Sequence, residues 1–338
     1  MHSEQFRIYF KKTLITVTFF AILGCLWPVF SFAAPFRISV LMIGDIRNGP
    51  LEGFKKGMHD LDFVDGKTIS LDIHNANGDR AALPQLARTI VKRRPKVAIA
   101  CGGLEADALQ AASRGTTVPV VFLAVAAAVE RGLVASLQQP GGNLTGVDTY
   151  DAQLIGKRLW FIRQMFPEIK RVIIPHVTSV PPSVTSVAVA RVAAADLGLD
   201  LNILAAPDKE TIQARAAALS KADGEVICIL PVAPVWQIEQ TVLFRVSKEQ
   251  RIPMMGVNRG DLEKGAVAAY ACSRFDAGVQ AARLVKKILS GTPPRDIPVE
   301  TPTRLEFVIN KKTVDLLGLK LPRRAWRLAD EVVSIEVR

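Results

Sequence analysis

Short apolar runs alternate with amphipathic stretches along nearly the whole chain, and this alternation constrains the fold more than any single motif. Residues 37–43 (RISVLMI) form a short, mainly apolar run of the kind found in buried parallel strands. A polar turn at 44–50 follows, and Leu51, Phe54, Met58 and Leu61 then recur at helical spacing. Ile69, Leu71 and Ile73 alternate as a second strand. Asp79 is placed to cap the next helix, whose face is Leu83, Leu86, Ile90 and Val91, with Pro84 in its first turn. Strands are expected at 97–101 and 118–123, and helices at 104–112 and 129–137. A second series opens with a helix marked by Ile155, Leu159, Ile162 and Phe166. Its strands are expected at 172–175, 199–204, 226–230, 253–257 and 266–271. Its further helices are expected from the Pro181-Pro182-Ser183 turn through 197, then over 211–219, 236–250 and 276–289, the last stopped by Gly291 and the prolines beyond it.

Strands alternating with helices build parallel sheets covered on both faces, so the fold class is α/β. Two series predict two doubly wound parallel-sheet lobes. Between them lies Pro140-Gly141-Gly142-Asn143-Leu144-Thr145-Gly146-Val147. Its glycines reach backbone angles closed to other residues, and Asn143 and Thr145 hydrogen-bond locally to hold a turn. The stretch reads either as a crossing between lobes or as a turn leading into a short strand; Asn143-Leu144-Thr145, although it fits a glycosylation sequon, is read as part of that turn. With the crossing, residues 34–147 and 274–303 form lobe one, and 148–273 and 304–338 form lobe two. In open sheets of this kind ligands bind beyond the carboxyl ends of the strands. A cleft is therefore expected among loops 44–50, 75–79, 101–106, 124–128, 176–185, 231–236 and 257–261.

The N-terminus has a different character. Arg7, Lys11 and Lys12 precede an uncharged apolar stretch from Thr13 to Phe30, and Ser31-Phe32-Ala33 offers small residues where a signal peptidase reads. Residues 1–33 are accordingly expected to be a cleaved signal peptide, and the protein to be periplasmic. Lipidation at Cys25, within Ile22-Leu23-Gly24-Cys25, and retention as a membrane anchor are the alternatives, since the uncut run to Ala34 is just long enough to span a bilayer. Past this segment Cys101, Cys228 and Cys272 remain, an odd number at wide spacing without CxxC, and are expected to be buried free thiols. The formal net charge is +11, of which +2 lies in the first 34 residues. The basic residues are scattered and often sit beside acids, as in Lys248-Glu249, so no nucleic-acid partner is expected.

Catalytic signatures are missing. No GxGxxG opens the first helix, and no GxxxxGK[ST], HExxH or GxSxG occurs. His59, His74 and His176 stand far apart. No catalytic residue, cofactor or metal site is expected. Recognition chemistry remains. Gly102-Gly103 lies between a strand and a helix, where a ligand can approach the backbone and an acid group can meet free N–H groups. Ser183 and Thr185 hold the corresponding place in the second series. Trp236 offers a flat apolar face, and Arg259 and Arg274 offer a counter-charge for an acid group. Each has a plainer reading beside the binding one: a tight turn for the glycines, a helix cap for Ser183, a core filler for Trp236.

Several segments together resemble the substrate-binding proteins of ABC transporters, in the family with tryptophan- and tyrosine-binding members. They are residues 132–137 (GLVASL), 140–147 (PGGNLTGV), 297–300 (IPVE), 307–310 (FVIN), 317–322 (LGLKLP) and 329–332 (ADEV), in the family's order within residues 36–333. The resemblance implies a type I periplasmic binding fold: two lobes joined by a hinge, three crossings, and closure on a small-molecule ligand. It implies an ABC permease in the inner membrane as partner and a monomeric protein. A periplasmic sensor feeding a signalling receptor and a secreted enzyme are the competing functions. The family's pattern is broken at three places. Cys101-Gly102-Gly103-Leu104-Glu105 stands where Thr or Ser with small residues is usual, and Ala127-Ala128-Val129 where Asp-Pro-Val is common. Tyr270-Ala271-Cys272-Ser273-Arg274 replaces a Tyr-Gly-x-Asp type segment, so Ser273 stands where an aspartate would often receive an ammonium group. An aromatic or branched-chain amino acid, or another carboxylate, is the ligand the resemblance suggests.

Overall fold

The computed structural model describes residues 34–337. The expected signal segment, its cleavage point and Cys25 lie outside the described residues. The first sheet holds β1 (Phe36–Met42), β2 (Ile69–Asn75), β3 (Val97–Ala100), β4 (Val120–Val125) and β5 (Leu144–Asp148). All five are parallel, in the order β2-β1-β3-β4-β5. Helices α1 (Asn48–Asp60), α2 (Leu83–Lys92) and α3 (Gly103–Ser113) connect them. Successive side chains of a strand point to opposite faces. Ile38, Val40, Val121 and Leu123 therefore pack one way, against Phe54 of α1. Leu41, Ala98, Val120 and Phe122 pack the other way, against Ile90 and Leu109. This double burial is why β3 and β4 are apolar at every position, whereas the edge strand β2 alternates.

The second part of the chain repeats the plan. Its helices are α4 (Ile155–Met165), α5 (Pro181–Leu197), α6 (Lys209–Ala217), α7 (Ala233–Ile238) and α8 (Phe244–Gln250). Its strands β6 (Arg171–Val177), β7 (Asp200–Ala206), β8 (Val226–Cys228), β9 (Met254–Gly256) and β10 (Ala268–Cys272) are parallel. From β10 the chain enters α9 (Arg274–Leu289), which packs on α1 of the first sheet. Glycine makes this contact possible: a Cβ on Gly53 would lie 1.9 Å from Phe275 O, and one on Gly278 would lie 2.0 Å from Pro50 O. The chain then returns through β11 (Leu305–Asn310), α10 (Lys311–Leu316), α11 (Arg323–Leu328) and β12 (Glu331–Val333). The order of the second sheet is β12-β11-β10-β9-β8-β6-β7.

Four local expectations need correction. Residues 129–137 form turns and no helix, because Gly132 takes a left-handed backbone at φ 70°. The helix expected at 236–250 begins at Ala233 and contains a π turn over Glu239–Leu243. β11 and β12 were not expected as strands, and β11 runs antiparallel to β10. The passage to the second sheet follows Asp148, whereas Leu144–Val147 of the glycine-rich stretch belong to β5. Asn143 in that stretch donates to Val118 O at 2.7 Å and Ser113 Oγ at 3.0 Å, so its amide braces the turn. Cys101, Cys228 and Cys272 are free and buried. Among the described residues no helix is long and apolar enough to cross a membrane.

Candidate functional site

The two sheets share one strand order, since β2-β1-β3-β4-β5 recurs as β7-β6-β8-β9-β10. In each, the connections turn to opposite sides beside the first strand, and the loops there diverge to leave a crevice. These switch points lie between β1 and β3 and between β6 and β8. Loops from both converge on one cavity of about 260 Å³, with Arg47 and Gly103 on one wall and Val180, Pro231 and Trp236 on the other. Arg274, at the start of α9, closes one side.

Arginine dominates this cavity. Arg47 Nε meets Glu105 Oε1 at 2.9 Å, and the same oxygen accepts Ile43 N at 2.9 Å; the Glu105 side chain is fully buried. Arg131 Nη1 meets Asp107 Oδ2 at 2.8 Å, and its Nε donates to Ala126 O at 3.1 Å. A Cβ on Gly102 would lie 2.4 Å from Arg47 Cζ, and one on Gly103 would lie 2.9 Å from Arg131 Cζ. The paired glycines thus seat two guanidinium groups against the start of α3. Asp148 anchors the neighbouring loop by accepting Ala128 N at 2.7 Å and Tyr150 N at 2.8 Å. Burial raises its carboxyl above the ordinary range, against the pull of those N–H groups. The left-handed backbones of Ala127 (φ 60°) and Tyr150 (φ 58°), uncommon for non-glycine residues, flank this anchor.

A second polar knot lies where the chain passes between the sheets. Arg158, fully buried, donates to Tyr270 O at 2.9 Å, Asp151 O at 2.7 Å and Asp151 Oδ1 at 3.0 Å. Arg274 Nη2 approaches Asp151 Oδ2 at 3.6 Å, and its Cζ stands 5.4 Å from the centre of the Trp236 ring. A third polar cluster holds the loop after β9. Asp261 accepts Val257 N at 2.7 Å and Asn258 N at 3.0 Å. Glu239 lies buried beside it; burial and then the charge of Asp261 push its carboxyl up to about 9, opposed by Lys264, whose Nζ is 3.1 Å away.

Of the residues singled out from sequence, Gly103, Trp236 and Arg274 line the one cavity. Gly102 lies directly beneath Arg47. Ser183 is fully buried, accepts Val177 N at 3.0 Å and pairs with His176 Nδ1 at 2.9 Å, so it closes the turn between β6 and α5. Thr185 sits half-buried in the second turn of α5 and does not reach the cavity. Arg259 borders an adjoining cavity of about 340 Å³ and makes a two-pronged ion pair with Glu331. Sequence reasoning missed Arg47, Arg80 and Arg131. Arg47 falls inside the expected loop 44–50, while Arg80 and Arg131 stand just past loops 75–79 and 124–128.

Two sheets of one strand order whose switch points meet across a cleft define a two-lobed binding fold of the type I periplasmic kind. The chain belongs to the ABC transporter substrate binding protein family, whose sequence model matches residues 36–333. Members of this family bind solutes and are not enzymes, and the same holds for this protein. It is 27% identical over 270 residues to a tyrosine-binding protein of Clostridioides difficile, covering 80% of this chain and 76% of that one. A conserved domain protein of Vibrio cholerae superposes with a TM-score of 0.80 at 25% identity, covering 88% of this chain and all of that one. An ABC domain of Streptococcus pneumoniae in complex with L-Trp has the same fold, with a TM-score of 0.79 at 22% identity, over 89% of this chain and 100% of that one.

Proposed function

We propose that the protein is the extracytoplasmic solute-binding component of an ABC importer. Exported to the periplasm, it captures a small organic ligand bearing an acid group and delivers it, as a monomer, to a permease in the inner membrane. The observation that carries this reading is the cavity where the switch points of both sheets face each other. The moving bodies are lobe one, 34–147 with 274–303, and lobe two, 148–273 with 304–338. The Arg158–Asp151–Arg274 knot lies at the passages between them. Function needs no catalytic group, only that the closed form bind the ligand better than the open form. Gly103, Trp236 and Arg274 make contact with the ligand. Gly102 and Ser183 lie behind the cavity and support the residues that line it, while Thr185 and Arg259 stand outside it. The names of the relatives support an amino acid or another carboxylate as the ligand.

The test pairs native mass spectrometry with small-angle scattering. Protein isolated from the cell envelope should retain a small molecule, and adding that molecule to stripped protein should shrink the radius of gyration. Turnover of the molecule, or binding without contraction, would contradict lobe closure as the working step.

A further inference from the structure

Taking the cleft as the binding site, as proposed above, we propose that its ligand is a dianion, a small molecule with two acid groups held apart across a flat middle. The relatives' names suggest an amino acid, and the charges of this cleft point elsewhere. Arg47, Arg80, Arg131 and Arg274 line it, and Asp107 is the one carboxylate that does.

The two walls balance separately. On the first, Arg47, Arg80 and Arg131 face Glu105 and Asp107. Glu105 is taken by Arg47 and Ile43 N, and Asp107 by Arg131; Arg80 makes no ion pair among the described residues. One positive charge is left over, beside the start of α3, where helix N–H groups favour an anion as well. On the second, Arg158 and Arg274 share Asp151. Arg158 holds Oδ1 at 3.0 Å, while Arg274 stands farther off at 3.6 Å, partly exposed and over Trp236. A second positive charge is left over there. Guanidinium groups match carboxylate and phosphate oxygens with paired donors. The cleft thus offers one such seat on each wall and an indole face beside the second.

An ammonium group finds no carboxylate among the described cleft residues that is without a partner already. Glu105, Asp107 and Asp151 are engaged as above, and Asp148 accepts Ala128 N and Tyr150 N. Ser273 accepts Asp276 N as the cap of α9. The amine of an amino acid would enter a site with a surplus of arginine, where like charges repel.

The experiment is calorimetry on the full chain with benzene-1,3-dicarboxylate, benzene-1,4-dicarboxylate, phenyl phosphate, benzoate, L-tryptophan and L-tyrosine. At least one dicarboxylate should bind ten or more times tighter than benzoate, with the two amino acids weaker still. Phenyl phosphate, which carries both charges on one acid group, tells whether the charge alone or the separation of two acid groups is recognised. Arg274→Gln and Arg80→Gln, with unchanged circular dichroism, should each weaken the dianion at least tenfold, and Arg274→Lys should lose less. Binding of tryptophan or tyrosine tighter than every dianion overturns the dianion proposal and leaves solute binding standing. Failure of every dianion to bind, or dianion binding indifferent to both glutamine variants, also overturns it. Silence from all six probes together with no retained molecule in native mass spectrometry removes the binding reading itself.

Discussion

Replacing Arg158 with methionine tests the knot between the sheets. The guanidinium is fully buried and makes three hydrogen bonds at 2.7–3.0 Å, two of them to carbonyl oxygens. Asp151 is equally buried, with 2% of its side chain exposed. Methionine restores most of the apolar contact but leaves the carboxylate with Arg274 alone, at 3.6 Å. Removing one partner of a buried ion pair costs about 3–5 kcal/mol. Each orphaned carbonyl adds about 1 kcal/mol or more, offset in part as Arg274 moves toward Asp151. A net loss of about 4 kcal/mol is expected, a large share of a typical stability of about 5–15 kcal/mol. Urea unfolding measures it. Asp151→Asn combined with Arg158→Met should be less damaging than the sum of the single changes by about 2 kcal/mol, because the stranded charge is gone. The same shift of Arg274 should weaken ligand binding in Arg158→Met. A single variant within about 1 kcal/mol of the parent, or a purely additive double variant, would refute the account of the knot as a coupled unit.

Three further outcomes follow from the same geometry. Glu239 titrates near 9 in the folded protein against an ordinary value of 4.5, so its contribution is fully present below about 4.5 and is lost as pH rises toward 9; melting temperature should fall across that window, and Glu239→Gln should flatten the fall, with an unchanged slope counting against the assignment. Gly278→Ala places a Cβ 2.0 Å from Pro50 O and 2.7 Å from Phe54 N, which should cost about 1–3 kcal/mol by forcing α9 off α1; unchanged urea midpoints would contradict that contact. Burial pushes the thiols of Cys228 and Cys272 up to about 12, so a thiol reagent at pH 8 should label native protein only as fast as it unfolds, and prompt labelling would place a thiol at the surface.

The alternation of apolar runs and helical faces was enough to read an α/β chain with two parallel sheets, because a strand buried on both faces must be apolar at every position. It was not enough for β11, where Glu306 interrupts the apolar run, or for β12, where Glu331 and Val332 are exposed. The helix assigned to 129–137 shows the limit of spacing alone: the apolar residues recur, but Gly132 turns the backbone left-handed. Trp236 and Arg274 were legible as cleft candidates because they follow strand ends. Arg47 and Arg131 were not, since an arginine in a loop carries no periodicity and its role depends on what it meets. Glu105 lies 58 residues from Arg47 in the chain, and only the neighbouring of β1 and β3 brings them together. The glycine pair illustrates the division most clearly. From sequence, Gly102-Gly103 reads as a place where a ligand can approach the backbone, or as a tight turn. Tertiary structure decides what lies against it: two guanidinium groups, delivered by loops remote in the chain, already fill the space beside both glycines.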